Sequence, residues 1–232
     1  MREIVLDTET TGLDPAQGHR VIEIGCVELK NRTPTGGRFH AYINPERDVP
    51  EEARRISNLS TEFLRDKPLF ADVVDGFLEF IGDSTLVIHN AEFDLKFLNS
   101  ELKRLSKPTL DSDRAIDTLL ISRRRFPGAS ASLDALCRRF NIALDERSAK
   151  GHGALLDAQL LADVYLELSG GRQPALELIA TAAAAVASSV AAVAQLIAPR
   201  PKPLAPRLSE EERARHTEAI ASLGPAAVWN MP

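Results

Sequence analysis

The 232-residue chain predicts an α/β layer fold built on a mixed sheet flanked by helices, followed by a flexible linker and a short helical tail. Two observations carry that prediction. Short apolar runs come first as a meander and later alternate with helical patterns, the signature of a mixed α/β sheet. After Gly171 the composition turns Ala-rich and then Pro-rich, which reads as a linker outside a globular core.

The elements follow in order. Ile4, Val5 and Leu6 open a buried strand that runs directly into Asp7 and Glu9. Val21–Leu29 and Arg38–Ile43 read as strands joined through the turn residues Asn31–Gly37. Phe70–Gly82 has helical spacing and a glycine stop. Ser84–Asn90 is a short buried strand leading into a helix over Ala91–Leu105. Two amphipathic helices follow, over Ser132–Ile142 and Gly153–Gly171, the second closed by Gly170 and Gly171. The predicted organisation is a domain over 1–171, an Ala/Pro-rich linker over 172–208 and a tail over 209–232. In the tail, Ser209 and Glu212 have capping-box spacing, and Gly224–Pro225 supply a stop. Such a helix is too short to be stable alone in water. Ile220 and Leu223 give it an apolar edge, and Trp229, the only tryptophan, follows as a candidate interface anchor.

Composition narrows the function classes. A net charge of −5 argues against binding nucleic acid by bulk electrostatics, so such a partner has to be held by local groups or metal ions. Cys26 and Cys137 form no CxxC pair and no disulfide framework, which fits a reducing, cytoplasmic location. The opening MREIVLD lacks the apolar run of a secretory leader, and Ala180–Ala198 is too weakly hydrophobic to span a membrane. No membrane partner is expected.

Asp7 and Glu9 share one face of an extended chain because side chains alternate with period two. Two neighbouring anions at a buried strand end repel and need a cation. Asp94 lies in the first turns of a helix among Phe93, Phe97 and Leu98, and Asp157 precedes Leu160, Leu161 and Val164 on the stripe of another. Asp157 alone is equally a cap or half of a buried ion pair. Four acids at the ends of buried elements suit a pair of hard divalent cations with oxygen ligands, such as Mg²⁺. Two such ions about 3.5–4 Å apart activate a water and stabilise a leaving oxygen in phosphoryl displacement. His152, between Gly151 and Gly153, is placed to accept the proton of that water. His89 and Asn90 are open between strand-end hydrogen bonding and substrate contact. His19 and His40 read as structural, and Asp117 as a helix cap.

The stretches DTET (Asp7–Thr10), HNAEFD (His89–Asp94) and HGALLD (His152–Asp157) resemble the three motifs of the DEDDh 3′–5′ exonucleases. Within that superfamily, RFPGASASLDALCRRFNI and HGALLDAQLLADVYLELSGG resemble the proofreading epsilon family of bacterial DNA polymerase III. The resemblance covers Arg2–Gly171 well and the tail loosely. It implies a ribonuclease-H-like fold and a 3′–5′ exodeoxyribonuclease that releases nucleoside 5′-monophosphates with two Mg²⁺ or Mn²⁺ ions. By motif position, Asp7 bridges both ions, Glu9 and Asp157 join it at the first, Asp94 serves the second, and His152 is the general base. Thr10, Thr11, Gly12 and Leu13 match the segment that grips the terminal nucleotide, and His89 and Phe93 match positions lining its pocket. Ile56–Leu59 departs from the family: Ser57 and Asn58 stand where His and Gly are usual. That change is expected to alter base contacts and leave the metal site untouched.

The implied partners are a single-stranded or frayed DNA 3′ end, the polymerase catalytic (alpha) subunit and the sliding clamp. Gln173–Leu178 resembles a clamp-binding peptide led by Gln173 with Leu176 and Leu178, and equally reads as the start of an Ala-rich helix. Ile220, Leu223 and Trp229 are the expected polymerase-docking residues. Two other readings stand beside this one: a free-standing DEDDh nuclease acting on RNA or short oligonucleotides, and a scaffold between polymerase and clamp with a vestigial nuclease.

Overall fold

A computed structural model describes residues 1–144, 152–171 and 209–222. The chain divides into two compact units, Met1–Ala175 and Leu176–Pro232. The first is built on five strands in the order β3-β2-β1-β4-β5: β1 (Arg2–Thr10), β2 (Val21–Lys30), β3 (Thr33–Tyr42), β4 (Thr85–Ile88) and β5 (Ala115–Asp117). β1 pairs antiparallel with β2 and β2 with β3, whereas β4 runs parallel to both β1 and β5. The expected mixed sheet is therefore present, a ribonuclease-H-like arrangement.

Both faces of the central strands are covered, which explains the unbroken apolar run in β1. Ile4 and Leu6 face a core with Val74 and Phe77 of α3 (Phe70–Ile81) and Leu95, Phe97 and Leu98 of α4 (Ala91–Arg104). Val5, between them, faces the opposite core, with Leu136 of α6 (Leu133–Arg139) and Leu161 and Val164 of α7 (Ala154–Leu168). Alternation sends successive residues of one strand into two separate layers. Ser132 caps α6, accepting from Ala135 N–H at 3.3 Å.

The hairpin between β2 and β3 is tighter than expected. Only Asn31 and Arg32 form the turn, both in the left-handed region (φ 52° and 64°), and β3 already begins at Thr33. A two-residue turn of this hand matches the twist of the strands it joins. Pro34 is tolerated because β3 is an edge strand. The register shifts between Val27 and Leu29, so the glycines beyond Pro34 sit at an irregularity within the strand.

Helices α1 (Glu51–Ser57) and α2 (Thr61–Arg65), with β5, have no counterpart in the sequence reading, and α5 (Thr118–Arg125) has one only in its cap. Each is short, and α1 is largely exposed with no apolar stripe to reveal it. Asp117 caps α5 as expected, accepting from Leu119 N–H at 2.8 Å. It also accepts from Asn90 and Ala91 N–H, both at 3.2 Å, and so ties the entrances of α4 and α5 together.

In the second unit, α8 (Glu210–Ser222) carries the predicted capping box: Ser209 Oγ accepts from Glu212 N–H at 3.2 Å, and Glu212 accepts from Ser209 N–H at 2.8 Å. Ile220 is half-buried and the rest of α8 exposed. Gln173, Leu176, Leu178, Leu223 and Trp229, and the linker over 172–208, lie outside the described residues. Among the described residues no helix is long and apolar enough to cross a membrane.

Asp117→Ala removes a helix cap and strands the two N–H groups at the start of α4. Urea unfolding is expected to show a loss of about 2 kcal/mol.

Candidate active site at the end of the first strand

β1 and β4 run parallel, so their C-terminal ends open on the same edge of the sheet. Asp7 and Glu9 stand there on the face that carries Val5, the face covered by α7. α7 reaches this edge because β2 offers no side chain beneath its start. Gly25 pairs with Asp7, and a Cβ on Gly25 would lie 2.2 Å from Ala154 C and Leu155 N. The helix backbone occupies the place a side chain would fill.

That approach delivers Asp157, buried one turn into α7, and His152, just ahead of it, to Glu9. One ligand atom from each of Glu9, His152 and Asp157 lies within 4.8 Å of the others. His152 Nδ1 is 3.3 Å from Asp157 Oδ2, which orients the ring, and the His152 side chain is 44% exposed. The His152 backbone is held too: its N–H donates to Ile56 O, at the end of α1, at 3.2 Å. The Ile56–Leu59 segment therefore reaches the turn that carries His152. The reach runs through a backbone carbonyl, which any side chain permits.

Asp94 comes from the opposite layer. Thr8 points away from Asp7 and Glu9, and Asp94 Oδ1 accepts from both Thr8 N–H (3.0 Å) and Thr8 Oγ1 (2.6 Å). Burial pushes the Asp94 carboxyl up to about 7, against the pull of the Thr8 hydrogen bonds, with the charge of Asp117 adding to the rise. A cation at the strand end would favour the ionised form. Asp7 and Asp94 are not in the close Glu9–His152–Asp157 group; they border it from the same strand and from the other layer. The donor set, carboxylate oxygens with one imidazole, fits a hard divalent cation.

Beside the acids is a cavity of about 510 Å³ lined by Thr10, Thr11, Gly12, Leu13 and Phe93. Leu13 is 83% exposed at its mouth, and Ile56, also exposed, lines it as well. His89 does not line this cavity; its Nδ1 is 2.9 Å from Thr118 Oγ1. His19, expected to be only structural, does line it. Its Nδ1 is 3.2 Å from Thr11 Oγ1, and a Cβ on Gly12 would fall 2.3 Å from its ring. Gly12 is thus required for the loop to lie against the imidazole. The loop is braced from behind: Arg20 N–H donates to Thr11 Oγ1, and the Arg20 guanidinium grips buried Glu101 of α4 at 2.7 and 2.9 Å. No local pattern links Thr11, Arg20 and Glu101, so sequence periodicity gives no sign of the brace.

A mixed sheet thus carries clustered acids at the C-terminal end of its first strand, beside a cavity of about 510 Å³. The family model described as Exonuclease matches residues 4–165. DNA polymerase III subunit epsilon of Rickettsia felis is 58% identical over 182 residues, covering 77% of this chain and 79% of that protein. The Escherichia coli K12 subunit of the same name is 48% identical over 178 residues, covering 74% and 72%. Among solved structures, the nuclease domain of 3′hExo, a DEDDh family member bound to rAMP, superposes with a TM-score of 0.62 at 17% identity, over 75% of this chain and 94% of that one. Exonuclease X in complex with 5′-overhanging duplex DNA gives 0.58 at 24% identity, over 72% and 90%. The chain belongs to the exonuclease family, in its branch of DNA polymerase III epsilon subunits.

Gly25→Ala forces the start of α7 away from the sheet. Exonuclease turnover is expected to fall by about a hundredfold, the scale of a misplacement near 1 Å. Circular dichroism should show the fold retained, at a stability cost of about 1–3 kcal/mol.

Proposed function

We propose that this protein removes nucleotides from DNA 3′ ends as the proofreading 3′–5′ exodeoxyribonuclease of DNA polymerase III. The observation that carries this reading is the convergence of Glu9, His152 and Asp157 within 4.8 Å, beside the Thr10–Leu13 cavity. In this reading Asp7, Glu9, Asp94 and Asp157 would hold a pair of divalent cations. The chemistry supplied by a bound pair of Mg²⁺ or Mn²⁺ ions is activation of water and neutralisation of charge on the leaving oxygen. His152 accepts the proton of the attacking water, with Asp157 keeping its ring in place. Thr10, Thr11 and Gly12 hold the terminal nucleotide through close backbone approach. Leu13 wedges against its base, and Phe93, lining the same cavity, completes the substrate-binding set.

Selection of errors requires no reading of base identity. The cavity takes one unpaired end, and unpairing a mismatched terminus costs less than unpairing a matched one, by on the order of a few kcal/mol. The 1–171 domain thus carries the chemistry, and the rest of the chain carries assembly. Residues 209–232, with Ile220, Leu223 and Trp229, dock on the polymerase catalytic subunit. Gln173, Leu176 and Leu178 engage the sliding clamp, and 172–208 tethers the nuclease near the primer end at high effective concentration. This places the protein in the cytoplasm, with the replication machinery.

Two measurements test this. With a 3′-labelled strand and Mg²⁺, mismatched ends should be degraded faster than matched ends, and Glu9→Ala or Asp157→Ala should abolish cleavage. The same cations should raise the melting temperature of the wild-type protein and not of those variants, since only a formed site gains binding energy. Equal rates on matched and mismatched duplex ends would overturn the proofreading role.

Deleting residues 209–232 should abolish co-purification with the polymerase while preserving activity on free single strands. Retained polymerase binding would move the docking site into the nuclease domain.

A further inference from the structure

Glu23 is a buried carboxylate that the chemistry above leaves unused. It lies on β2 directly across from Glu9 of β1, and across from Tyr42 of β3. Residues opposite one another on paired strands share a face. Glu23 therefore stands on the same face as Glu9, the face on which α7 packs. Its side chain is 3% exposed. A carboxylate so enclosed, next to another acid, is costly unless it has a partner.

The partner is His40, on the edge strand β3. His40 Nε2 lies 2.7 Å from Glu23 Oε1, and the ring of Tyr42 meets the imidazole edge-on at 4.7 Å. The same carboxylate faces the start of α7: a Cβ on Gly153 would lie 3.9 Å from both of its oxygens. Gly153 is the residue between His152 and the first turn of α7, and that turn has no side-chain cap. A carboxylate there complements the helix N-terminus. Glu23, His40, His152 and Gly153 line one cavity of about 320 Å³, separate from the one beside Thr10–Leu13.

We propose that the Glu23–His40 pair is a positioning device for the reaction. It sets the start of α7 against the sheet and so fixes His152 and Asp157 relative to Glu9, without touching substrate. The proposal rests on the reading of His152 and Asp157 as working parts of the nuclease site. Gly25 allows α7 to approach; Glu23, held by His40, defines where the approach stops.

The test is steady-state degradation of a single-stranded oligonucleotide by the full chain, with Mg²⁺, for Glu23→Ala, His40→Ala, the double variant and Glu23→Gln. Each single alanine variant should lower kcat about tenfold or more with KM within about twofold, the mark of lost alignment. The double variant should be no worse than the poorer single variant, because the two residues act as one unit. Glu23→Gln, which keeps the shape and a hydrogen bond to His40, should restore most of the rate. His40 is partly exposed on an edge strand, so its variant reports even if Glu23→Ala fails to fold. A His40→Ala kcat within about twofold of wild type, or losses that multiply in the double variant, would overturn the proposal. His152→Ala is measured alongside; wild-type turnover there overturns the underlying reading of the site, and the positioning claim with it.

Discussion

The site depends on one close contact: the backbone of α7 at Ala154 and Leu155 resting on Gly25 of β2. Gly25 pairs with Asp7, so the absent side chain lies directly across from the first acid of the strand. The helix fills that gap, and its first turn brings Asp157 to the level of Glu9. Farther along, Val27 and Leu29 pack against Leu161 and Val164, so burial of apolar surface holds the contact closed. A hydrophobic seam thus does the work of pressing acidic groups toward one another.

The acids arrive from two layers, and strand alternation dictates which. Asp7 and Glu9 face α7, whereas Thr8 faces α4 and donates twice to Asp94. The strand end is flanked by carboxylates on both sides of the sheet. Burial raises the Asp94 carboxyl, and the charge of Asp117 raises it further. Such crowding is unfavourable by itself, and a bound cation would relieve it, linking affinity to folding stability.

The cavity side of the strand end is held by polar contacts rather than by burial. The Thr10–Leu13 loop leans on the His19 ring, and Thr11 is fixed through Arg20 to Glu101 of α4, the helix that also carries Asp94. The end of α1 reaches across to the His152 backbone, where Asn58 ends the helix in the left-handed region. The Thr10–Leu13 loop, the acids and His152 are therefore referenced to shared elements, α4 on one side and α1 with α7 on the other.

The sequence by itself determined the strands with continuous apolar runs, the helices with a clear stripe, the capping box at Ser209, the cap at Asp117, and the three motif-bearing stretches. These are local: period, cap chemistry and short spacing are written within a few residues. The same locality hid α1, α2 and β5, which are too short or too exposed to show a period. It also made Asn31–Gly37 read as one long turn, although two left-handed residues suffice. Tertiary structure alone decided that His19 lines the cavity beside Thr10–Leu13, that Ile56 holds the His152 turn, that Arg20 and Glu101 brace Thr11, and that Glu23 and His40 lie beneath α7. Each of these joins residues distant in the chain. The physical reason is that burial of charge is judged in three dimensions: a lone Glu or His in a strand looks ordinary until folding removes its water and names its partner.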